Sequence, residues 1–322
     1  MSMSWWPLIK TLPVKTNFRF VRFARLFGLL SVLLCAASLI GVFYPGLNLG
    51  IDFRGGAAME MTRPGGQALD LGAVRGAVDD LGLGDVQVQG IDSDSGAIVR
   101  FQIPEGTAQA DTVNRVQVAI TGAVPDARFS GTSVVGSKVS GELLTAGVLA
   151  LVVAVILMFL YIAFRFPWQF GLGAVFGLVH DVVLVFGLMV LMRLEFSLNS
   201  VAAILTVIGY SMNDTVVVFD RLRENLRKYK TLPLADIIDL SVNETLSRTI
   251  ITGITAVMVL AALAVLGGPA LFAFSIALMF GIIIGTYSSV YIAAPVILVW
   301  GVKRGESAED AQPVVLGPAS RP

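Results

Sequence analysis

Six apolar runs, at 26–44, 142–164, 170–192, 198–219, 248–266 and 270–300, constrain what this chain of 322 residues can fold into. A helix needs about 20 consecutive apolar residues to cross the roughly 30 Å hydrocarbon core of a bilayer. Each run reaches that length. The last is longer than one crossing requires, so it is expected to tilt, kink or lie partly along the interface. Charged residues make up only 14% of the chain, against about 25% in soluble domains. The expected fold class is therefore an α-helical membrane protein with six transmembrane helices and one polar domain between the first two.

Net charge is zero, yet the bases are segregated. Lys10, Lys15, Arg19, Arg22 and Arg25 precede the first run without an acid. Arg165 follows the second run, Arg221, Arg223, Arg227, Lys228 and Lys230 the fourth, and Lys303 and Arg304 the sixth. In a six-span chain all four places lie on one side, which the positive-inside rule makes the cytoplasm. Segments 1–25, 220–247 and 301–322 are then a cytoplasmic N-terminal segment, a cytoplasmic loop and a cytoplasmic tail. The tail's Pro, Gly, Ser and Glu content predicts disorder. Residues 45–141 fall outside, in the periplasm beyond a bacterial inner membrane. A cleaved signal peptide is the alternative for the first run; the long basic lead and the lack of a small-x-small cleavage site favour a retained helix.

One cysteine, Cys35, excludes an intramolecular disulfide, and one histidine, His180, excludes a His-rich metal site. No zinc or phosphate-loop spacing and no nucleophile–base pair appears. An enzyme, a metal, a bound cofactor and a nucleic-acid partner are not expected.

Segment 45–141 holds eleven acids and seven bases. Its pattern predicts a strand at 57–62 and a helix from the cap Asp70 to about 81, with Val74, Val78 and Leu81 on one face. A hairpin follows over 86–91 and 97–103, then a helix over 111–124 and a strand over 127–135. The order β-α-β-β-α-β is that of a ferredoxin-like α+β domain.

Asn213 and Asp214 interrupt the fourth apolar run. A carboxylate at the centre of a spanning helix costs about 2.5–3.5 kcal/mol on insertion scales, so it calls for a partner or water. On a helical wheel Asn199, Thr206, Tyr210 and Asn213 form a stripe with Asp214 at its edge. Gly173, Gly177, His180 and Gly187 share a face of the third helix, with Asp181 beside it. Thr245, Arg248, Thr252 and Thr255 share one on the fifth, and Gly281, Gly285 and Ser288 on the sixth. Small and hydroxyl residues mark close helix faces in membranes, so these stripes are expected to pack inward. Asp214 reads as a proton carrier, with Arg248 as the fixed charge that modulates it; the alternative is a static Asp–Arg or Asp–Asn bond. His180 and Asp181 form either a relay or a buried hydrogen-bonded pair. Gly173, Gly177, Gly281 and Gly285 are helix-packing signals.

These residues bring a family into view. LGIDFRGG at 49–56, with Gly50, Asp52, Phe53, Gly55 and Gly56, resembles the signature after the first span of the SecD/SecF proteins. VIGYSMNDT at 207–215, DRLREN at 220–225, LSRT at 246–249, HD at 180–181, GGP at 267–269 and GTYSS at 285–289 are similar to its other motifs. The resemblance covers about residues 20–302, and the size of the polar domain fits the SecF branch. It implies half of a resistance–nodulation–division transporter, paired pseudosymmetrically with SecD beside the SecYEG channel, often with YajC. It implies preprotein substrates met in the periplasm and protons as the coupling ion. By position, Asp214 matches the family's proton-pathway carboxylate and Arg248 its functional arginine. An independent lipid or small-molecule exporter and a non-transporting scaffold are the rival readings.

Overall fold

The computed structural model describes residues 16–302, apart from 85, 92–94 and 105. Lys10, Lys15, part of the expected hairpin turn and the tail from 303 lie outside the described residues. The elements run α1 (Phe20–Gly41), β1 (Asn48–Leu49), α2 (Ile51–Arg54), β2 (Gly56–Thr62), α3 (Leu71–Asp79), β3 (Gln87–Ile91), β4 (Gly96–Phe101), α4 (Gln109–Ala123) and β5 (Arg128–Val135). They continue as α5 (Ser137–Arg165), α6 (Trp168–Leu191), β6 (Glu195–Phe196), α7 (Leu198–Lys228), α8 (Leu234–Leu266), α9 (Pro269–Ser288) and α10 (Ala294–Trp300).

Among the described residues, six helical stretches are long and apolar enough to cross a membrane: Phe20–Gly46, Lys138–Arg165, Trp168–Leu191, Leu198–Lys228, Leu234–Leu266 and Leu271–Trp300. The chain is a multi-pass α-helical membrane protein. Helices α6, α7 and α9 form the packed centre. Helices α1, α5 and α8 bury little and expose Leu33, Leu157, Val259 and other large apolar side chains, as lipid-facing surfaces do. At one end of the bundle Phe170 meets Phe219 edge to face at 5.1 Å, with Phe166 stacked on Phe170.

Glycine sets the central spacing. A Cβ on Gly281 would run into the Val207 side chain, one on Gly285 into Ser211, and one on Gly173 into the Ala293 carbonyl. Gly177 rests against the Ala293 methyl at 3.4 Å. All four glycines thus lie at close helix contacts, where small residues let backbones approach.

The long last run is not one regular α-helix. Its helix changes to a π-turn over Ser289–Ala293 before α10. Pro295, with no N–H to give the preceding turn, accounts for the break. The polar stretch 220–247, expected as a loop, is mostly helical: α7 continues to Lys228 and α8 starts at Leu234. Asp220, Glu224, Arg227, Lys228, Asp236 and Glu244 are exposed and Arg221, Arg223 and Asp239 half-buried, while Leu222, Asn225, Ile237, Ser241 and Val242 are buried.

Between α1 and α5 stands a four-stranded antiparallel sheet, ordered β3-β4-β2-β5, packed on α3 and α4. Ala57, Met59 and Met61 of β2 alternate into its core with Val88, Val99, Val74, Val78, Val116 and Ile120. Asp70 caps α3 by accepting from Ala73 N at 3.0 Å, as its position predicts. The expected strands and helices all form, with α4 beginning two residues early. A second pairing has no counterpart in the sequence reading: β1 and β6 form a two-residue parallel ladder, Asn48 with Glu195 and Leu49 with Phe196. It ties the segment after α1 to the turn between α6 and α7.

Candidate functional site

The site lies in the middle of the bundle, where α6, α7, α8 and α9 meet. It holds two carboxylates, each set among hydroxyls. Asp214, on α7, is 6% exposed. Its Oδ1 accepts from Thr249 Oγ1 of α8 at 2.5 Å, and its Oδ2 from Ser289 Oγ at 2.7 Å. Asp181, on α6, has no exposed surface. Its Oδ2 accepts from Ser211 Oγ of α7 at 2.5 Å and from Ser288 Oγ of α9 at 2.8 Å. Its Oδ1 lies 2.9 Å from His180 Nδ1. Three polar contacts thus hold one carboxyl group and two hold the other.

The neighbours Ser288 and Ser289 serve the two different acids, and they straddle the junction of α9 with the π-turn. A π-turn inserts an extra residue and shifts the faces on either side. That shift lets adjacent side chains reach separate partners. Ser289 Oγ is also 2.9 Å from the Thr286 carbonyl, and Ser288 Oγ 3.2 Å from that of Gly285. A hydroxyl has one proton to donate, so each serine has an acid and a backbone oxygen between which that proton is placed.

His180 is buried, its ring stacked on Tyr287 with centroids 5.9 Å apart. Among the described residues its Nε2 has no hydrogen-bond partner. Tyr287 donates to the Phe27 carbonyl at 2.9 Å and meets Ser31 Oγ at 2.9 Å, linking this corner to α1.

One expectation is corrected and one alternative, the static Asp–Arg bond, is not met. First, the stripe Asn199, Thr206, Tyr210 and Asn213 does not pack inward. Asn199, Thr206 and Asn213 are exposed, Tyr210 is half-buried, and the packed face of α7 carries Val207, Ser211, Asp214 and Val218. On α8, Arg248, Thr252 and Thr255 are exposed too. The hydroxyls of Thr206, Thr252 and Thr255 bond back to their own helices at 2.8, 2.8 and 3.0 Å, so these stripes need no inward partner. Second, Arg248 makes no ion pair with Asp214 among the described residues. It lines the same small cavity, with Tyr210, Asn213, Thr249 and Thr252, within electrostatic reach of the acid. The side chain that binds Asp214 from α8 is the next residue, Thr249. Thr249, Ser211 and Ser289 drew no role from the sequence. Their signal was four hydroxyls in apolar surroundings, at 211, 249, 288 and 289.

The motif residues after α1 lie away from the acids, at the domain end of the bundle. Gly50 N donates to the Phe196 carbonyl at 2.9 Å, and Asp52 Oδ2 accepts from Leu198 N, the first residue of α7, at 2.9 Å. Phe53 is buried against Phe196, centroids 5.4 Å apart. Gly55 and Gly56 have φ of 74° and 109°, left-handed values at little cost only for glycine. A Cβ on Gly56 would also strike the Phe101 carbonyl.

The description of a matching family model over residues 115–303 reads "Protein export membrane protein SecD/SecF, C-terminal", and that of another over 43–62 reads "SecD/SecF GG Motif". The chain is 43% identical over 317 residues to the protein translocase subunit SecF of Rhodobacter capsulatus, covering 94% of both chains. It is 45% identical over 312 residues to that of Cereibacter sphaeroides, covering 94% of this chain and 96% of that one. Among solved structures, SecDF from Thermus thermophilus, described as a translocon-associated membrane protein, superposes with a TM-score of 0.79 at 33% identity. The match takes in 89% of this chain and 39% of the SecDF chain, so this chain spans about two-fifths of that longer polypeptide. With nearly full-length relatives at this identity and both models matched in register with the bundle and the glycine motif, the chain belongs to the SecD/SecF family of protein-export membrane proteins.

Proposed function

We propose that the chain is a SecF-like subunit that couples proton movement through its helix bundle to export of preproteins across a bacterial inner membrane. The observation that carries this reading is Asp214: a buried carboxylate in the middle of a spanning helix, held only by hydroxyls, beside an arginine that is near but not paired with it. Structural ion pairs in membranes are closed by their counter-charge. This one is left open to change.

The chemistry follows from donors and acceptors. As a carboxylate, Asp214 accepts from both Thr249 and Ser289. As a carboxylic acid it carries a proton of its own, and one partner hydroxyl must turn from donor to acceptor. Ser289 can take that part, accepting the Asp214 proton while its own goes to the Thr286 carbonyl. Proton binding thus reverses a bond between α7 and its neighbour, while Arg248 loses the charge it faces. Asn213 lines the same cavity, and Asp181 with His180 is the second proton-bearing pair of the pathway. Transfer of one charge across 100 mV supplies about 2.3 kcal/mol, enough to shift a two-state population roughly fiftyfold.

The exposed polar faces of α7 and α8 support pairing with a second polypeptide inside the membrane. SecD is the partner, as the name of the SecDF neighbour suggests, and SecYEG and YajC complete the assembly. The strand order β3-β4-β2-β5 supports reading the domain after α1 as ferredoxin-like. Both termini lie in the cytoplasm and 45–141 in the periplasm, in keeping with the basic clusters. Protons are the coupling ion and no other cofactor takes part.

The test is export into inverted membrane vesicles, with and without a proton gradient, by wild type and Asp214→Asn. The amide keeps the size and abolishes the titration. Gradient-stimulated export should disappear while the protein and its SecD partner remain in the membrane. Undiminished stimulation in that variant overturns the proposal.

A further inference from the structure

The motif segment after α1, strand β4 and the α6–α7 turn converge at one point. Arg100 of β4 is 7% exposed. Its Nε donates to Glu195 Oε1 at 3.1 Å, its Nη2 to Glu195 Oε2, and its Nη1 to Gln89 Oε1 at 3.2 Å. Glu195 lies in β6, three residues before α7 begins. A guanidinium holding both oxygens of one carboxylate fixes orientation as well as distance. Gly50 lies directly beneath: a Cβ there would run into Glu195 Oε1. The glycine of the motif makes room for the ion pair.

The start of α7 is therefore gripped from two sides. From β1 and α2 come the two-residue parallel ladder, the bond from Gly50 N to the Phe196 carbonyl, and the Asp52 carboxylate on Leu198 N. From β4, at the centre of the domain sheet, comes Arg100. Below the grip, Ser200 Oγ donates to the Glu195 carbonyl at 2.9 Å and Ser197 caps the helix. Asp214 lies 16 residues along the same continuous helix from Leu198, about 24 Å away.

We infer that Arg100, Glu195 and Asp52 form a rigid joint that makes the domain and α7 one mechanical body. They are positioning residues for gradient-driven export and touch neither proton nor preprotein. The inference rests on the proposed function. It makes α7 itself, with the flanking spans α1 and α5, the route by which events at Asp214 reach the domain. The joint works closed: the ion pair is not a latch that opens in each cycle.

The full-length protein with SecD, in inverted vesicles, tests this. Glu195→Arg and Arg100→Glu each place like charges in the joint. Each should cut the gradient-stimulated part of export at least about tenfold, with gradient-independent export, membrane level and SecD co-purification unchanged. Combining them should restore a substantial part of the loss. A merely structural role would lower both parts of export together and would overturn the inference, as would full stimulation in the single variants. A second arm covers variants that fail to accumulate: Arg100→Cys with Glu195→Cys in a Cys35→Ser background, bridged by a short bis-maleimide. The bridge should raise gradient stimulation above that of the unbridged pair; loss of stimulation on bridging would show that the joint must open, and refute it. Asp214→Asn runs in parallel. If that variant exports normally, the proposed function fails; if it is dead while the joint variants are normal, the joint alone fails.

Discussion

Gly281→Ala adds one methyl group, and the structure places it inside the Val207 side chain. Overpacking of a tight interior costs about 1–3 kcal/mol. Against this stands the helix-propensity gain of alanine over glycine, about 0.8–1.0 kcal/mol. The net effect is a loss of about 0–2 kcal/mol. The matched control is Gly209→Ala, on α7, where an added Cβ meets nothing within 4 Å and only the gain of about 1 kcal/mol remains. The two variants should therefore differ by about 1–3 kcal/mol, at least a fivefold change in the ratio of folded to unfolded protein. The strain falls on the α7–α9 contact, four residues from Gly285 and seven from Ser288. Pushing α9 outward stretches the Ser288–Asp181 and Ser289–Asp214 bonds, now 2.8 and 2.7 Å, toward the limit beyond which hydrogen bonds fail. Unfolding of the purified protein in detergent, followed by heat or denaturant, measures the stability difference. Vesicle export measures its consequence. Adding Val207→Ala to Gly281→Ala should recover both. If Gly281→Ala is as stable as Gly209→Ala, helix spacing is not set by this glycine and the packing argument falls.

Thr249→Val and Ser289→Ala each remove one donor to Asp214 with little change of shape; gradient-stimulated export should fall several-fold in each, with normal membrane levels, and wild-type stimulation in both would remove the hydroxyls from the mechanism. Asp181→Asn keeps an oxygen for Ser211 and Ser288 and turns an amide toward His180 Nδ1, so the fold should survive while gradient-stimulated export drops; unchanged export would reduce His180 and Asp181 to a buried hydrogen-bonded pair.

Run length alone located the six spans, because nothing but the bilayer asks for about 20 apolar residues in succession. Alternation and helical period located the domain's elements, since its core faces water on the other side. Within the membrane that logic weakens. Lipid-facing and core-facing residues are equally apolar, so Val207 in the packed centre and Val259 on the surface look alike in sequence. The polar stripe of α7 was taken as the inward face because polar groups avoid lipid. It faces outward, with the Thr206 hydroxyl bonded back to its own helix, and the proposed function assigns that surface to a second polypeptide. The helical ends of 220–247 were masked by their charge, although Leu222, Leu226, Ile237 and Ile238 carry a helical period there. Arg100 and Glu195, 95 residues apart, and the two-residue strands β1 and β6 leave no local pattern to read. Asp214 was legible because its cost is local. Its actual partners were not, because Thr249 and Ser289 come from other helices.

The same contacts decide how the bundle can move. Helix α7 is held at its domain end by the joint and at its other end by α8: Arg221 Nε donates to Glu244 Oε2 at 2.6 Å, and the buried Asn225 donates to Ser241 Oγ at 3.0 Å and to Glu244 at 2.7 Å. The start of α1 fastens to that same end of α8, with Phe18 N on Asn243 Oδ1 and Val21 N on Asp239 Oδ1, both at 2.9 Å. At the far end of α8, Leu266 is 83% exposed, and the helix stops at Gly267 before Gly268 with φ of 73°. Helix α8 is thus hydrogen-bonded to its neighbours near Glu244 and linked directly to α9 beyond Leu266. Thr249 lies about 7.5 Å along the helix from Glu244, and Leu266 about 33 Å. Turning as a rigid rod about Glu244, α8 converts a shift of about 1 Å at Thr249 into about 4 Å at Leu266. On the proposed function, a small shift at Asp214 and Thr249 would thus be enlarged at the end of the bundle where the domain stands, as a movement of α8 relative to the single body that α7 and the domain form.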